Sequence, residues 1–289
     1  MIKKGFLSIG IFFLHLFSFL PLWLLFGISN VLYYLVYYVV KYRRDVVRKN
    51  LVNSFPEKSL TEIIAIEKRF YRYLTDLMVE IVKMSSISKA EVLKRVKTKN
   101  FDQVEAYFQK GESALACCGH YGNWELGTMA SGLKLSIAPY VIYKPINNKI
   151  FEAWFNKLRT KFGNVFIPMR QTLREVIATK NKPTLFCFAS DQSPMVIDVQ
   201  HIIHFMHQPT SVLLGLEKIA KQTDRPVFYF DVTRVKRGYY EIDCVPLCLD
   251  PKAAEEHEIT ELFFKSLSKS IQKAPEYWLW SHNRWKSND

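Results

Sequence analysis

A run of 36 residues without a charged side chain, residues 5–40, most restricts what this chain can fold into. A helix needs roughly 20 apolar residues to cross the hydrocarbon core of a bilayer. The run exceeds that length and therefore predicts membrane contact. A cleavable signal peptide is disfavoured, because its apolar region is about 7–15 residues long and ends at small residues. This run instead ends in a tyrosine-rich stretch that leads directly into Lys41.

Two breaks are expected within this run. Pro21 and the Gly-Ile-Ser-Asn segment at residues 27–30 divide it into a longer apolar piece and a shorter Tyr-rich piece. Tyrosine is enriched at the membrane interface. We therefore predict a membrane anchor over residues 1–45, in which a transmembrane or re-entrant helix precedes an interfacial helix, and a second domain over residues 46–289. A buried helical hairpin of a soluble protein is the alternative.

The charge is uneven along the chain. The formal net charge is +13, and residues 1–50 hold seven basic residues against one Asp, a net of +6. Because most of these basic residues follow the apolar run, the positive-inside rule places the C-terminal domain in the cytoplasm. If Lys3 and Lys4 also stay inside, the anchor is kinked or re-entrant. We expect no nucleic-acid partner, since no nucleic-acid-binding motif accompanies the positive charge.

Beyond residue 50 the pattern is that of an α/β domain. Ser59 and Glu62 form a predicted capping box at the start of a long helix. Short apolar runs predict buried strands at residues 114–118, 140–143, 164–167, 184–188 and 226–230. Helices are predicted to begin near Asn123, Asn148, Thr172 and Thr210. This alternation favours a mixed, largely parallel sheet flanked by helices. Residues 232–245 predict a hairpin that closes one edge of the sheet.

We expect neither a metal nor a cofactor. The five cysteines are typical of a reducing compartment, and their spacing does not form a zinc motif. His201, His204 and His207 would not face one side of either a helix or a strand. The sequence also lacks a glycine-rich phosphate loop of the nucleotide-binding type.

The stretch Cys-Gly-His-Tyr-Gly-Asn-Trp-Glu at residues 118–125 is the most informative one. His120 follows a predicted strand, at the sheet edge where α/β proteins collect functional groups. Glu125 lies in the first turn of the next helix, from which its carboxylate could reach one imidazole nitrogen and leave the other to accept a proton. A turn histidine bonded to its own loop is the alternative. Because no Gly-x-Ser-x-Gly elbow is present, the pattern favours direct transfer to a substrate hydroxyl.

These residues also carry a resemblance. The segment from His120 to Glu125 resembles the His-x4-Asp/Glu box of glycerolipid acyltransferases. The surrounding residues are similar to the bacterial late lipid A (Kdo-dependent) acyltransferase family. Four further stretches match that family in order: Tyr143-Lys-Pro145 with the later Arg159 and Gly163, Asp191-Gln192, residues 208–211 running into 215–220, and the Trp-rich tail at 278–286.

The resemblance implies O-acylation of a lipid A precursor by an acyl thioester, probably on acyl carrier protein, at the bacterial inner membrane with the catalytic domain facing the cytoplasm. It makes His120 the base and Glu125 its orienting partner. Substrate-binding roles are expected for six residues: Asn123, Lys144, Arg159, Asp191, Gln192 and Arg284. Acylation of a lysophospholipid or another glycolipid by the same chemistry stays open, as does a non-enzymatic basic protein that binds the membrane surface.

Two basic groups have open interpretations. The run Lys94, Arg95, Lys97 and Lys99 is either a solvated face, a surface that attracts an acidic acyl carrier protein, or a contact with anionic lipid. In the tail, the tryptophan cluster from Trp278 to Trp285 is either a core plug or a membrane-interface belt. We favour packing beside the active edge of the sheet, with Arg284 and Lys286 near lipid phosphate.

Overall fold

The computed structural model describes residues 2–194 and 201–285, with side chains from residue 7 onward. The helices are α1 (Ile2–Ser18), α2 (Leu22–Tyr34), α3 (Arg44–Ser54), α4 (Leu60–Met84), α5 (Lys89–Arg95), α6 (Asp102–Gln109), α7 (Trp124–Lys134), α8 (Lys149–Arg159), α9 (Thr172–Ala178), α10 (Gly215–Thr223) and α11 (Glu258–Lys273). The strands are β1 (Val96–Lys99), β2 (Ala114–Cys118), β3 (Tyr140–Tyr143), β4 (Val165–Pro168), β5 (Leu185–Ala189), β6 (His201–Phe205), β7 (Gln208–Val212), β8 (Val227–Lys236) and β9 (Tyr239–Cys248).

A seven-stranded sheet organises the domain, in the order β1-β9-β8-β2-β5-β3-β4. The β8–β9 pair is antiparallel and the other neighbours are parallel. Helices cover both faces, and each face has its own apolar core. The sequence-based prediction of a largely parallel α/β sheet is confirmed.

Two predicted elements differ in the structure. The hairpin does not close the sheet, because β1 pairs in parallel with β9 and forms the edge, with Val96 opposite Tyr240. Its first strand also absorbs the separate strand predicted at residues 226–230. The helix predicted near Thr210 is instead β7, which pairs with β6, and the helix begins at Gly215. Residues of β7 alternate between buried and less buried positions, as a half-buried strand requires.

The N-terminal helices are broken once. The break at Pro21 is confirmed, since α1 ends at Ser18 and α2 begins at Leu22. The break predicted at residues 27–30 is wrong, because this segment lies inside α2 and the Ser29 hydroxyl bonds to Asp76 of α4. The segment Leu22–Val39 is long and apolar enough to cross a bilayer. Apolar side chains on it are largely solvent-exposed, including Trp23 at 74% and Val31 at 70%.

Helix α4 contacts the N-terminal helices on one side and the segment after β2 on the other. The predicted capping box is present, with Ser59 accepting from the Glu62 amide and Glu62 from the Ser59 amide. α2 packs along α4. On the other side, the Tyr73 hydroxyl donates to the Gly122 carbonyl, 2.5 Å away.

Candidate active site

Three neighbouring strands bring the predicted site residues to one edge of the sheet. β2 runs parallel to β5, with Cys118 opposite Ala189, and β5 runs parallel to β3. The chain therefore leaves all three strands on the same side. His120 follows β2, Asp191 and Gln192 follow β5, and Lys144 follows β3.

The His120 imidazole is held at both nitrogens. Its Nδ1 lies 2.5 Å from Oδ1 of Asp191, and its Nε2 lies 3.1 Å from the Gln192 side-chain nitrogen. An ionised carboxylate can only accept a hydrogen bond, so Nδ1 carries a proton and donates a hydrogen bond to Asp191. Nε2 then holds a lone pair and accepts from the Gln192 amide. This is the tautomer that a general base needs.

Asp191 is a buried carboxylate with several donors. Its Oδ2 accepts from the His120 backbone amide at 2.9 Å and from the Trp278 indole at 2.8 Å. Burial alone would raise the pKa of this carboxyl group. The positive charge that His120 carries when protonated, its hydrogen bonds and the nearby Arg284 outweigh burial and hold the pKa well below its usual range. Asp191 is therefore ionised at neutral pH and fixes the orientation of the imidazole.

The turn after His120 needs a glycine and is held by the C-terminal segment. Gly122 has a φ of +58°, and a Cβ atom there would lie 2.8 Å from the Val232 side chain. Its amide donates to the Tyr277 carbonyl, and the Leu279 amide donates to the His120 carbonyl. The loop therefore cannot move independently of the Trp-rich tail.

Glu125, the expected orienting partner of the histidine, is bonded elsewhere in this structure. Its carboxylate pairs with the Arg159 guanidinium of α8 through two hydrogen bonds, one of them 2.8 Å long. It also accepts from the Trp124 indole. Glu125 is 4% exposed, and a buried carboxylate takes the strongest donor in reach, which here is the bidentate guanidinium. The carboxylate that contacts the imidazole is Asp191.

Asn123 caps α7 from a fully buried position. Its Oδ1 accepts from the Leu126 amide at 2.9 Å, and its Nδ2 donates to Glu80 at 2.6 Å. Both polar ends of the side chain are thus used within the protein. Lys144, in contrast, is exposed beyond the end of β3.

Residues 1–287 match the family model for bacterial lipid A biosynthesis acyltransferases. The chain belongs to this family.

Two curated relatives are similar over most of their length. They are the lipid A biosynthesis palmitoleoyltransferase of Escherichia coli strain K12 and the lipid A biosynthesis acyltransferase of Shigella flexneri. Each is 23% identical over 250 residues, which cover 86% of this chain and 80% of the relative. Family membership makes this chain an acyltransferase enzyme, so the alternative of a non-enzymatic binding protein is set aside.

In this acyltransferase, Arg284 is buried near Asp191 and does not lie at the surface. It is 4% exposed, and its guanidinium lies over the Phe205 and Phe264 rings. Burial lowers its pKa to about 10, and the charge of Asp191 partly offsets this. Its guanidinium nitrogens have no hydrogen-bond partner among residues 7–194 and 201–285. The structure therefore gives Arg284 no open path to lipid phosphate, and Lys286 lies outside the described residues.

The histidines at 201–207 and the basic run at 94–99 were also singled out in the sequence. Several of these residues have partners of their own outside the His120 site. His201 and His204 lie on β6, where His201 stacks on His257. In the basic run, Lys99 pairs with Glu241, and Arg95 pairs with Glu91 and the Gly238 carbonyl.

Trp278 is the site residue whose role the sequence did not predict. Its packing beside the site was expected and is confirmed, but its indole hydrogen bond to Asp191 was not. The only signal for it was its place in the Trp-rich tail.

Proposed function

We propose that this enzyme transfers a fatty acyl chain from acyl carrier protein to a hydroxyl of a lipid A precursor, with His120 as general base. The observation that carries the proposal is the His120 imidazole with Nδ1 bonded to Asp191 and Nε2 facing the sheet edge beside Gln192. The names of the two relatives support the lipid A acceptor.

The reaction starts at Nε2. The acceptor hydroxyl replaces the Gln192 amide as its hydrogen-bond partner and gives its proton to Nε2 as its oxygen attacks the thioester carbonyl carbon. The imidazolium that forms is stabilised by the ionised Asp191. When the tetrahedral intermediate collapses, the carbon–sulfur bond breaks and His120 returns the proton to the leaving thiolate. The products are the acyl ester and the free thiol of the donor.

The oxyanion needs donors on the same edge. The first turn of α7 begins four residues after His120. The Leu126 amide is taken by Asn123, so the backbone amides of Trp124 and Glu125 are the candidates in this turn. The exposed Lys144 ammonium is a second donor candidate. Arg159 is the third, and its pairing with Glu125 holds its guanidinium in place.

Direct transfer, without an acyl-enzyme, fits the state of the nearest thiol. Cys118 precedes the site by two residues, and burial raises the pKa of its thiol to about 12, with smaller contributions from Asp191 and Glu125. Burial also raises the pKa of Cys117 and Cys187 well above the usual value. A thiol that stays protonated is a poor nucleophile.

The N-terminal helices would hold this site at the bilayer that contains the acceptor. Their exposed apolar side chains and the segment Leu22–Val39 support an anchor in the bacterial inner membrane. The basic residues that follow, including Arg43 and Arg44, support a cytoplasmic catalytic domain. Lys94 and Lys97 remain exposed and would attract an acidic acyl carrier protein.

The test uses membranes that contain the full chain, acyl carrier protein loaded with a radiolabelled acyl chain, and a panel of acceptors. The acceptors are a lipid A precursor, a lysophospholipid and another glycolipid. We expect label in the lipid A precursor and a loss of transfer with His120→Ala. Label in the lysophospholipid alone would reassign the acceptor. Equal transfer by His120→Ala would refute the proposed base.

A further inference from the structure

A buried carboxylate on α4 lies directly beneath the site loop and takes no part in the mechanism above. Glu80 is 4% exposed. Its Oε2 accepts from Asn123 Nδ2 at 2.6 Å and from the Tyr240 hydroxyl at 2.7 Å. Its Oε1 has no hydrogen-bond partner within the described residues. A buried carboxylate is costly to keep, so its placement needs a reason.

The Asn123 contact decides how α7 begins. Asn123 uses Oδ1 to cap the Leu126 amide, which requires that its Nδ2 point the opposite way, towards Glu80. Because Oε2 of Glu80 accepts from this Nδ2, Glu80 fixes which way the amide of Asn123 is turned. One residue earlier, the Gly122 carbonyl accepts from Tyr73 of the same helix α4. The loop from His120 to α7 is therefore held at two consecutive residues by α4.

The same helix is tied to the N-terminal segment one turn earlier. Asp76, four residues before Glu80, accepts from Ser29 of α2 at 2.7 Å and from Arg234 of β8 at 2.8 Å. Arg237, in the β8–β9 turn, bonds to Asp76 and also to the Phe26 carbonyl of α2. Arg234 lies over the Tyr73 and Tyr277 rings, next to Glu80.

We propose that Glu80 is a positioning residue for the His120 loop. We also propose that Asp76, with its partners Ser29, Arg234 and Arg237, connects this support to the N-terminal helix α2. The N-terminal segment then helps to position the catalytic loop and is also an anchor. The role of Glu80 in catalysis rests on the proposed function, whereas its role in fixing the loop does not.

The test compares matched leucine substitutions in the full chain in detergent. Glu80→Leu removes the acceptor beneath the loop. Glu67→Leu is the control, because Glu67 is a fully buried carboxylate on the same helix that pairs with Arg48 of α3 and has no contact with the site loop. Glu80→Gln is the conservative variant, since its amide oxygen can still accept from Asn123 and Tyr240.

Hydrogen exchange of the Leu126 amide and kcat per folded molecule are the readouts. We expect Glu80→Leu to accelerate exchange roughly tenfold and to lower kcat by a similar factor, with KM for the donor changed little. Glu80→Gln should restore most of both values, and Glu67→Leu should leave both near wild type. Equal effects of the two leucine variants would overturn the inference.

Two provisions keep the test decisive. If Glu80→Leu fails to fold, Tyr240→Phe removes one bond to Glu80 with little change in volume. We then expect a smaller acceleration of Leu126 exchange, and its absence would overturn the inference. Exchange needs no substrate, so an enzyme that is inactive on every acceptor would refute the proposed function and leave the inference on the loop to be judged by exchange alone.

Discussion

Nδ1 of His120 lies 2.5 Å from Oδ1 of Asp191, a residue 71 positions later in the chain. The carboxylate closest to His120 in the sequence motif, Glu125, is bonded to Arg159 instead. The two acidic residues thus have different partners in this structure. Asp191 contacts the imidazole, and Glu125 links α7 to Arg159 at the end of α8.

Replacing Asp191 by Asn tests whether its carboxylate holds the proton on Nδ1 of His120. The amide can no longer hold a proton on Nδ1 as an ionised carboxylate does, so Nε2 loses its function as a base. We expect kcat to fall by about 10⁴-fold with KM for the acceptor little affected, as for orienting acids in other histidine-based enzymes. Steady-state transfer kinetics measure this. An Asp191→Asn enzyme with more than a tenth of wild-type kcat would contradict the assigned role.

Removing Glu125 tests its pairing with Arg159. Glu125→Leu leaves the Arg159 guanidinium, whose side chain is 14% exposed, without its partner. We expect a loss of about 3 kcal/mol in the free energy of unfolding, because an unpaired buried charge is costly. The double variant Glu125→Leu with Arg159→Leu should recover most of that loss in denaturant unfolding. Unchanged stability together with a kcat as low as that of Asp191→Asn would instead show that Glu125 serves the histidine.

The difference between the predicted and observed partners of His120 shows what sequence patterns can and cannot predict. The strand after which His120 lies, and the helix that contains Glu125, follow from local apolar runs and turn residues. Periodicity within one strand does not say which strand is its neighbour. Asp191 reaches His120 only because β5 pairs with β2, a contact between distant segments. A carboxylate at the end of another parallel strand was the available signal, and it indicated a shared edge but no bond.

The same reasoning explains the errors in the fold. β1 is four residues long and highly charged, so it has no strand pattern of its own and is stabilised by pairing with β9. In α2, local propensity alone predicts a helix break at Gly27 and Ser29. Burial of Ser29 against Asp76 outweighs that preference.

The pH dependence of stability tests the buried state of Glu80. Burial raises its pKa to about 7, although hydrogen bonds from Tyr240 and Asn123 and the charge of Arg234 oppose this, and Asp76 on its own helix adds to it. The native protein therefore binds one more proton than the unfolded chain from about pH 4.5, the usual value for Glu, to pH 7. The stabilisation from this proton is fully present below that window and is lost as the pH rises through it.

Glu80→Gln removes this contribution. We expect the unfolding free energy of the wild type, relative to Glu80→Gln, to decrease as the pH rises through this window and to stay constant above it. Urea unfolding at a series of pH values provides the measurement. A difference that does not vary with pH would show that the carboxyl group titrates normally.

Cys118 provides a test of direct transfer. Because burial raises the pKa of its thiol to about 12, we expect it to react slowly with iodoacetamide at neutral pH. Cys118→Ala should retain kcat within about threefold, since a small, partly buried thiol is replaced by a slightly smaller side chain. A loss of activity with normal folding, or a labelled acyl group on Cys118 after incubation with the donor, would contradict direct transfer.

Single-turnover transfer from labelled acyl carrier protein to a lipid A precursor, with wild type and His120→Gln compared in the same membranes, tests the central claim most directly. The account predicts that label passes from the donor to the lipid with no label on the enzyme at any time, and that His120→Gln slows this step by about 10³-fold or more. Transfer by His120→Gln at the wild-type rate, or a labelled acyl-enzyme that precedes the lipid product, would contradict it.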